Sequence, residues 1–203
     1  MPKRNQSRQS QALELNFSPF PTIETDRLIL RQLAITDIDV LFEIRSNEEA
    51  MKYIDKPLAK TKEDVIALYN AMQENLEKNT GIMWVIQHKE NPTMLGYIGF
   101  WRIDTTNHRG EIGYTLLPQH FRKGIGSEAI AAALEHGFTN LNFHSVEADT
   151  NTANEASQKI LEKHGFIREA YFRENYYFNG IFLDSAIYGL LKSDWGKGLN
   201  KKN

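Results

Sequence analysis

The 203-residue chain reads as one domain of the mixed α+β class, a single mostly antiparallel sheet of six to seven strands with helices on both faces. Three observations carry this reading. Segments with an apolar period of two alternate with segments of helical period, in the order β-α-α-β-β-β-α-β-α-β-β. Asn179-Gly180 separates two strand-like runs, and that dipeptide suits a tight hairpin. No internal repeat or low-complexity stretch points to a solenoid or an extended array.

Residues 1–21 are polar and end in Ser18-Pro19-Phe20-Pro21, which predicts a flexible arm docked by Leu13, Leu15, Phe17 and Phe20. The domain proper is expected over 22–195, with a basic tail over 196–203. Residues 27–33 alternate apolar and polar side chains as a strand does. Thr36 is placed to cap a helix over 37–46, with Ile38, Leu41 and Phe42 on one face. Thr61 and Asp64 form a capping box that opens a second helix to about residue 78, with Val65, Leu68, Met72 and Leu76 aligned. Three consecutive strands follow at 82–88, 94–103 and 110–117, with turns predicted at Asn91-Pro92 and Thr105-Thr106-Asn107-His108. A helix is expected over 126–139 and a short strand over 145–149. Thr152 and Glu155 resemble a capping box, opening a helix that ends near His164-Gly165. The strands 168–177 and 181–191 complete the order.

Composition narrows the function. The net charge of −2 gives no global attraction to nucleic acid or an acidic membrane. The absence of cysteine rules out disulfides, thiolate metal sites and a covalent cysteine intermediate. No apolar run approaches the length of a membrane-spanning helix, and no signal peptide is read, so the cytoplasm is the expected location. The six histidines are scattered without metal-ligand spacing and read as surface or capping residues, so no metal is expected.

The most informative stretch is Leu116-Leu117-Pro118-Gln119-His120-Phe121-Arg122-Lys123-Gly124-Ile125-Gly126-Ser127-Glu128-Ala129. A strand ends at a proline, a basic glycine-spaced turn follows, and an alanine-rich helix begins. Such a turn aims backbone N–H groups and the positive end of a helix dipole at one point, which suits a diphosphate. The pattern is not a Walker A loop, because Lys123 precedes Gly124. It meets the dinucleotide fingerprint only in relaxed form, and at the wrong place in the chain.

The wider context is specific. Glu111-Ile112-Gly113-Tyr114 leads into the turn, and Asn154-Glu155-Ala156-Ser157 is followed by Lys163-His164-Gly165-Phe166. With Thr25-Asp26-Arg27-Leu28 at the start and Tyr188-Gly189-Leu190-Leu191 near the end, the chain resembles the GCN5-related N-acetyltransferase (GNAT) superfamily over about 23–195. Within it the chain looks most like the ribosomal-protein N-terminal acetyltransferase (RimJ/RimL-type) branch. The resemblance implies acetyl-CoA as co-substrate.

By that resemblance, backbone N–H groups from Arg122, Lys123, Gly124, Ile125, Gly126 and Ser127 grip the diphosphate. Arg122 and Lys123 either add charge there or are solvated turn residues. The strand before the loop splays from the next one. Backbone groups of Tyr114, Leu116 and Leu117 then pair with the pantetheine arm, and an N–H there stabilises the oxyanion. Glu111 is the candidate base that deprotonates the amine, directly or through water; its alternative is a salt bridge to Arg109 or Arg102. Where many relatives carry a tyrosine acid, this chain has Leu161. Ser157 is then either a hydrogen-bond donor to the sulfur or a small packing residue, and Asn154 either bonds the pantetheine arm or is a first-turn polar residue.

The expected reaction is direct attack in a ternary complex on acetyl-CoA by a primary amine. The foremost acceptor is the N-terminal amine of a ribosomal protein. A polyamine or an aminoglycoside is the alternative within the enzyme class, and a non-catalytic acyl-CoA-binding sensor the alternative outside it. Segments 47–80 and 172–184 are expected to shape the acceptor pocket. Tyr171, Phe172, Tyr176, Tyr177 and Phe178 either pack the hairpin or line the acceptor channel. A monomer or homodimer is expected, with no nucleic-acid or membrane partner.

Overall fold

The computed structural model describes residues 12–197. Eight strands form one sheet in the order β1-β2-β3-β4-β5-β6-β8-β7. They are β1 (Ile23–Glu24), β2 (Leu28–Gln32), β3 (Ile82–His88), β4 (Asn91–Asp104), β5 (Arg109–Leu116), β6 (Ser145–Asn151), β7 (Ile167–Phe178) and β8 (Ile181–Leu191). Every neighbouring pair is antiparallel except β5 and β6. The strand beyond the expected seven is β1, whose two residues pair with Leu30 and Ile29 and are too few to show a period.

Helices cover both faces, as expected. One face carries α1 (Ile38–Ser46), α2 (Glu48–Met51) and α3 (Lys62–Glu77); the other carries α4 (Ile125–Thr139) and α5 (Glu155–Lys163). Central β3 is therefore buried on both sides, which is why 82–86 is a continuous apolar run. Its Ile82, Trp84 and Ile86 join the core under α4, while Met83 and Val85 join the core under α1 and α3. From α4 come Ala129, Ile130, Ala133, Leu134 and Phe138, at helical spacing and all buried. Each such leucine, isoleucine or phenylalanine contributes about 1.5–3 kcal/mol by burial.

Several element ends differ from the expected ones. The first helix is not capped by Thr36. A short 3-10 turn over Ile35–Asp37 precedes α1. The Asp37 carboxylate accepts the Ala34 N–H at 2.9 Å and two bonds from the Arg31 guanidinium at 2.7 Å. At α3 the Asp64 carboxylate does accept the Thr61 N–H, at 3.0 Å. At α5 the cap is Asn154, not Thr152; the Thr152 N–H is taken by the Asp184 carbonyl of β8. Asn91-Pro92 is not a turn: the strand already begins at Asn91, and His88 pairs with it across residues 89–90. The Asn179-Gly180 turn forms with φ of 48° and 86°.

The arm is docked where it is described. Leu13 donates its N–H to Thr105, Phe17 is buried, and Phe20 meets the Trp84 ring edge-on at 6.2 Å. Residues 1–11 of the arm and 198–203 of the basic tail lie outside the described residues.

Candidate active site

The site forms where the sheet opens. β5 and β6 are paired only through Arg109–Ser145, Gly110–Val146 and Glu111–Glu147. Beyond Glu111 the two strands diverge, and each continues on its other partner, β5 on β4 and β6 on β8. The Leu117 N–H donates to the Leu95 carbonyl at 2.9 Å, and its C=O accepts from His120. Antiparallel alternation then turns the N–H and C=O groups of Leu116 and Tyr114 toward the open edge. Of the three residues expected to pair with an extended ligand, Tyr114 and Leu116 are so aimed, whereas Leu117 has its N–H committed to β4.

At the end of β5 the chain passes a short 3-10 turn, Pro118–His120, and reaches the start of α4. Gly124 is the N-cap of α4 with φ of 76°, a conformation that disfavours a side chain, and no side chain caps the helix. Arg122 also has positive φ, 57°. Among the described residues no backbone acceptor takes the N–H of Arg122, Lys123, Gly124, Ile125, Gly126 or Ser127. Six open donors therefore stand at and just before the positive end of a 15-residue helix. Gly126 is different from Gly124. A Cβ built there would lie at an ordinary 3.6 Å from Ile160 and Leu116, so the protein itself does not require glycine at 126.

This loop is held from the far end of the sheet. Glu128, in the first turn of α4, accepts from the Thr25 hydroxyl at 2.6 Å, the Arg27 N–H at 2.9 Å and the Arg27 Nε at 2.7 Å. Arg27 also donates to the Lys123 carbonyl at 3.2 Å. Burial acts to raise the Glu128 pKa, but these hydrogen bonds and the Arg27 charge outweigh it and hold the carboxylate below its ordinary range. Thr25, Arg27 and Glu128 were not among the sequence candidates for the site. Their only local signal is an acid in the first turn of a helix.

The opposite face of the opening is acidic. Side chains alternate along β5, so Ile112, Tyr114 and Leu116 face the α4 core while Glu111 points to the α1–α3 side. Glu147 stands beside it in register, and Asp149 follows on the same face of β6. Asp55 approaches from the segment after α2 and bonds Asn151. Burial raises the Glu111 pKa; Arg102 opposes this, and the Glu147 and Asp149 charges add to it. Asp149 is raised in the same way, by burial and by Glu147 and Asp55 against Arg102. Arg102 reaches Glu111 at 3.0 Å because it sits at a bulge of β4 with φ of 45°. Arg109 pairs with Glu147 instead.

Within the opening, Tyr114 Oη lies 3.0 Å from Ser157 Oγ. Burial pushes the Tyr114 phenol up to about 12, so it keeps its proton through the neutral range. Asn154 Oδ1 is occupied by the Ser157 N–H at 3.1 Å. Leu161 is fully buried in the core.

The comparisons with known proteins agree with this geometry. Residues 27–167 match the family described as acetyltransferase (GNAT) domain. The uncharacterised N-acetyltransferase YoaA of Bacillus subtilis is 35% identical over 173 residues, which cover 85% of this chain and 98% of that protein. The chain belongs to the GNAT acetyltransferase family.

Two GNAT structures solved with CoA share the fold. A spermidine N-acetyltransferase from Vibrio cholerae, in complex with CoA and spermine, has a TM-score of 0.76 at 23% identity, covering 87% of this chain and 100% of that one. RimL, a ribosomal L7/L12 α-N-protein acetyltransferase, has a TM-score of 0.77 at 20% identity, covering 84% and 98%. GNAT acetyltransferases use acetyl-CoA, and the six free N–H donors and the strand-lined opening fit its diphosphate and its amide-bearing arm. Among the described residues no cluster of three His, Asp or Glu is arranged for a metal ion, and no helix is long and apolar enough to cross a membrane.

In this GNAT domain the aromatic cluster packs the hairpin in part: the Tyr177 ring of β7 lies 5.0 Å from the Phe182 ring of β8, while Tyr171, Phe172 and Tyr177 stay 47–63% exposed on the edge strand. Tyr171 and Phe172 line, with Asp184, an open hollow of about 690 Å³ that contains neither Glu111 nor the glycine turn. The Tyr176 hydroxyl donates to the Asp55 carbonyl at 2.8 Å, joining the hairpin to the acidic side. One expectation needs correction: His136 is not a surface or capping residue, because its ring meets Trp84 edge-on at 5.4 Å and its Nε2 is buried, with no partner among the described residues.

Proposed function

We propose that this acetyltransferase moves the acetyl group of acetyl-CoA to a primary amine by direct attack, with Glu111 as the base. The observation that carries the reading is the position of Glu111. It is the last residue of β5 paired to β6, at the point where the strands part, on the face away from the cofactor helices. A thioester threaded through the opening from the α4 side meets an amine arriving from the acidic side at that point.

An N-terminal amine has a pKa of about 8 and must lose a proton for attack. A carboxylate lifted by burial is a better base than an exposed one. The Arg102 cation beside it is 76% exposed, so it can leave when an ammonium takes its place. On the leaving side, Tyr114 donates to Ser157, and the Ser157 hydroxyl passes a hydrogen bond to the sulfur. Leu116 and Tyr114 hold the pantetheine arm, with the Asn154 Nδ2 as a further donor. Arg122 and Lys123, both exposed at the turn, add charge near the diphosphate.

The resemblance to the RimJ/RimL branch supports a protein N-terminal amine as acceptor. A second reading, a polycationic small amine, is favoured by one observation: Asp55, Glu111, Glu147 and Asp149 gather at the acceptor side against Arg102 and Arg109. Thiol release from acetyl-CoA decides between them when N-terminal peptides and polyamines are assayed side by side. Turnover with peptides alone supports the first reading and turnover with polyamines alone the second. CoA binding without turnover on any amine would leave only a sensor role.

A further inference from the structure

Across the glycine turn from Arg122 and Lys123, the end of α5 closes against the start of α4. Lys163, the last residue of α5, donates from Nζ to the Ser127 hydroxyl at 3.1 Å. His164, the C-cap of the same helix, places Nε2 at 2.9 Å from the same oxygen. Gly165 with φ of 90° and the Phe166 N–H bonded to Leu161 turn the chain sharply here, which fixes the imidazole against α4. Ser127 is thus held by two groups whose charge differs: one is a permanent cation, the other an imidazole that titrates near neutrality.

A serine hydroxyl has one proton and two lone pairs. When the ring is neutral its Nε2 lone pair can take the Ser127 proton, while Lys163 donates into the oxygen. When the ring is an imidazolium, Nε2 can only donate. Ser127 then accepts from both Lys163 and His164, and its own O–H must turn elsewhere. Ser127 is the last of the six turn residues whose N–H groups are open, so the freed proton lies beside those donors.

We propose that Lys163 and His164 are the pH-sensitive half of the CoA diphosphate site: protonation of His164 releases the Ser127 O–H to the diphosphate and adds a cation next to it. This rests on the diphosphate being held by residues 122–127. His164 and Lys163 act through Ser127 and are positioning residues. Without ligand, burial and the neighbouring Lys163 charge hold the His164 pKa below its ordinary value, with a hydrogen bond to the Ser127 main chain opposing. From α4 the group that meets the ring is Ser127, from its own helix the charge that acts on it is Lys163, and among the described residues no carboxylate is paired with it. An arriving dianion reverses the balance and favours the imidazolium. By linkage, affinity for the anion rises as pH falls through the His164 titration.

Calorimetry with dephospho-CoA tests this. That ligand keeps the diphosphate but lacks the 3′-phosphate, whose own pKa of about 6 would confuse the profile. The wild-type dissociation constant is expected to tighten about tenfold from about pH 8.5 to about pH 5.5, the effect of one pKa unit between free and bound enzyme. His164→Gln is expected to bind with a flat profile at the wild-type high-pH affinity. Lys163→Gln is expected to bind more weakly throughout while keeping the slope. Equal pH profiles for wild type and His164→Gln overturn the proposal. Gly126→Ala serves as the separate control: wild-type affinity in that variant overturns the diphosphate assignment itself. Should His164→Gln fail to fold, the ring protons of His164 in the wild type are titrated by NMR. A pKa that rises on adding dephospho-CoA supports the relay, and an unmoved pKa sinks it.

Discussion

The two faces of β5 solve different problems with different materials. On the α4 side the strand presents Gly110, Ile112, Tyr114 and Leu116 to an apolar core, and the groups proposed to face the ligand are main-chain amides. On the other side it presents Glu111 to Glu147, Asp149, Asp55 and two arginines. Backbone donors keep their place as long as the turn and helix keep theirs, so capture of CoA in the proposed manner would tolerate much side-chain variation. The acceptor side is built from charged tips on four separate elements, and a single substitution changes it.

The largest expected effect separates the faces outright. Glu111→Gln should lower kcat by about 10²–10⁴, leave CoA affinity unchanged by calorimetry, and abolish the acid limb of the pH–rate profile. In the wild type that limb lies above the usual carboxylate range, because the folded pKa is raised by burial. A variant that lost CoA binding in step with turnover would show that the faces are not independent.

Asp37→Ala tests what holds the α1–α3 layer on the acceptor face. It strips Arg31 of a nearly buried partner, so urea unfolding should show a loss of about 3–5 kcal/mol. A loss below about 1 kcal/mol would mean the layer is held by its apolar contacts alone.

On the cofactor face Gly126→Ala should leave the melting temperature intact, since the new Cβ meets only ordinary contacts. CoA affinity should nevertheless fall at least tenfold, as one charge-assisted bond worth about 1.5–3 kcal/mol is displaced. Unchanged affinity would place the diphosphate elsewhere.

The smallest effect is on pH. Burial lowers the His136 pKa, so the unfolded chain binds a proton at about pH 6.5 that the folded one refuses. Stability is therefore full above that pH and declines as pH falls through the window below it. Denaturant midpoints of His136→Phe should decline less over that window than those of the wild type. Parallel curves would mean the ring is not buried as neutral imidazole.

Much of the fold was legible along the chain. The Asn179-Gly180 hairpin, the Thr61–Asp64 helix start and the glycine turn before α4 were read correctly because each depends on residues within four positions. The misread caps went to near neighbours: Asn154 rather than Thr152 caps α5, and Asp37 rather than Thr36 accepts at the start of the first helix, where it also serves Arg31. At the proposed site, the sequence nominates Glu111 and the turn, whose roles the variants above test. The hold of Arg27 on Glu128 spans 101 residues and the bond from His164 to Ser127 spans 37, and neither leaves a mark in spacing.

From the sequence alone came the α+β class, the glycine-opened helix and the kind of co-substrate it receives, because backbone conformation answers to near neighbours. The folded chain decided which carboxylates share a face, which tyrosine meets Ser157 and how far β5 and β6 stay together. Those outcomes depend on strand register and on desolvation, and both are set only when segments far apart in the chain pack against each other.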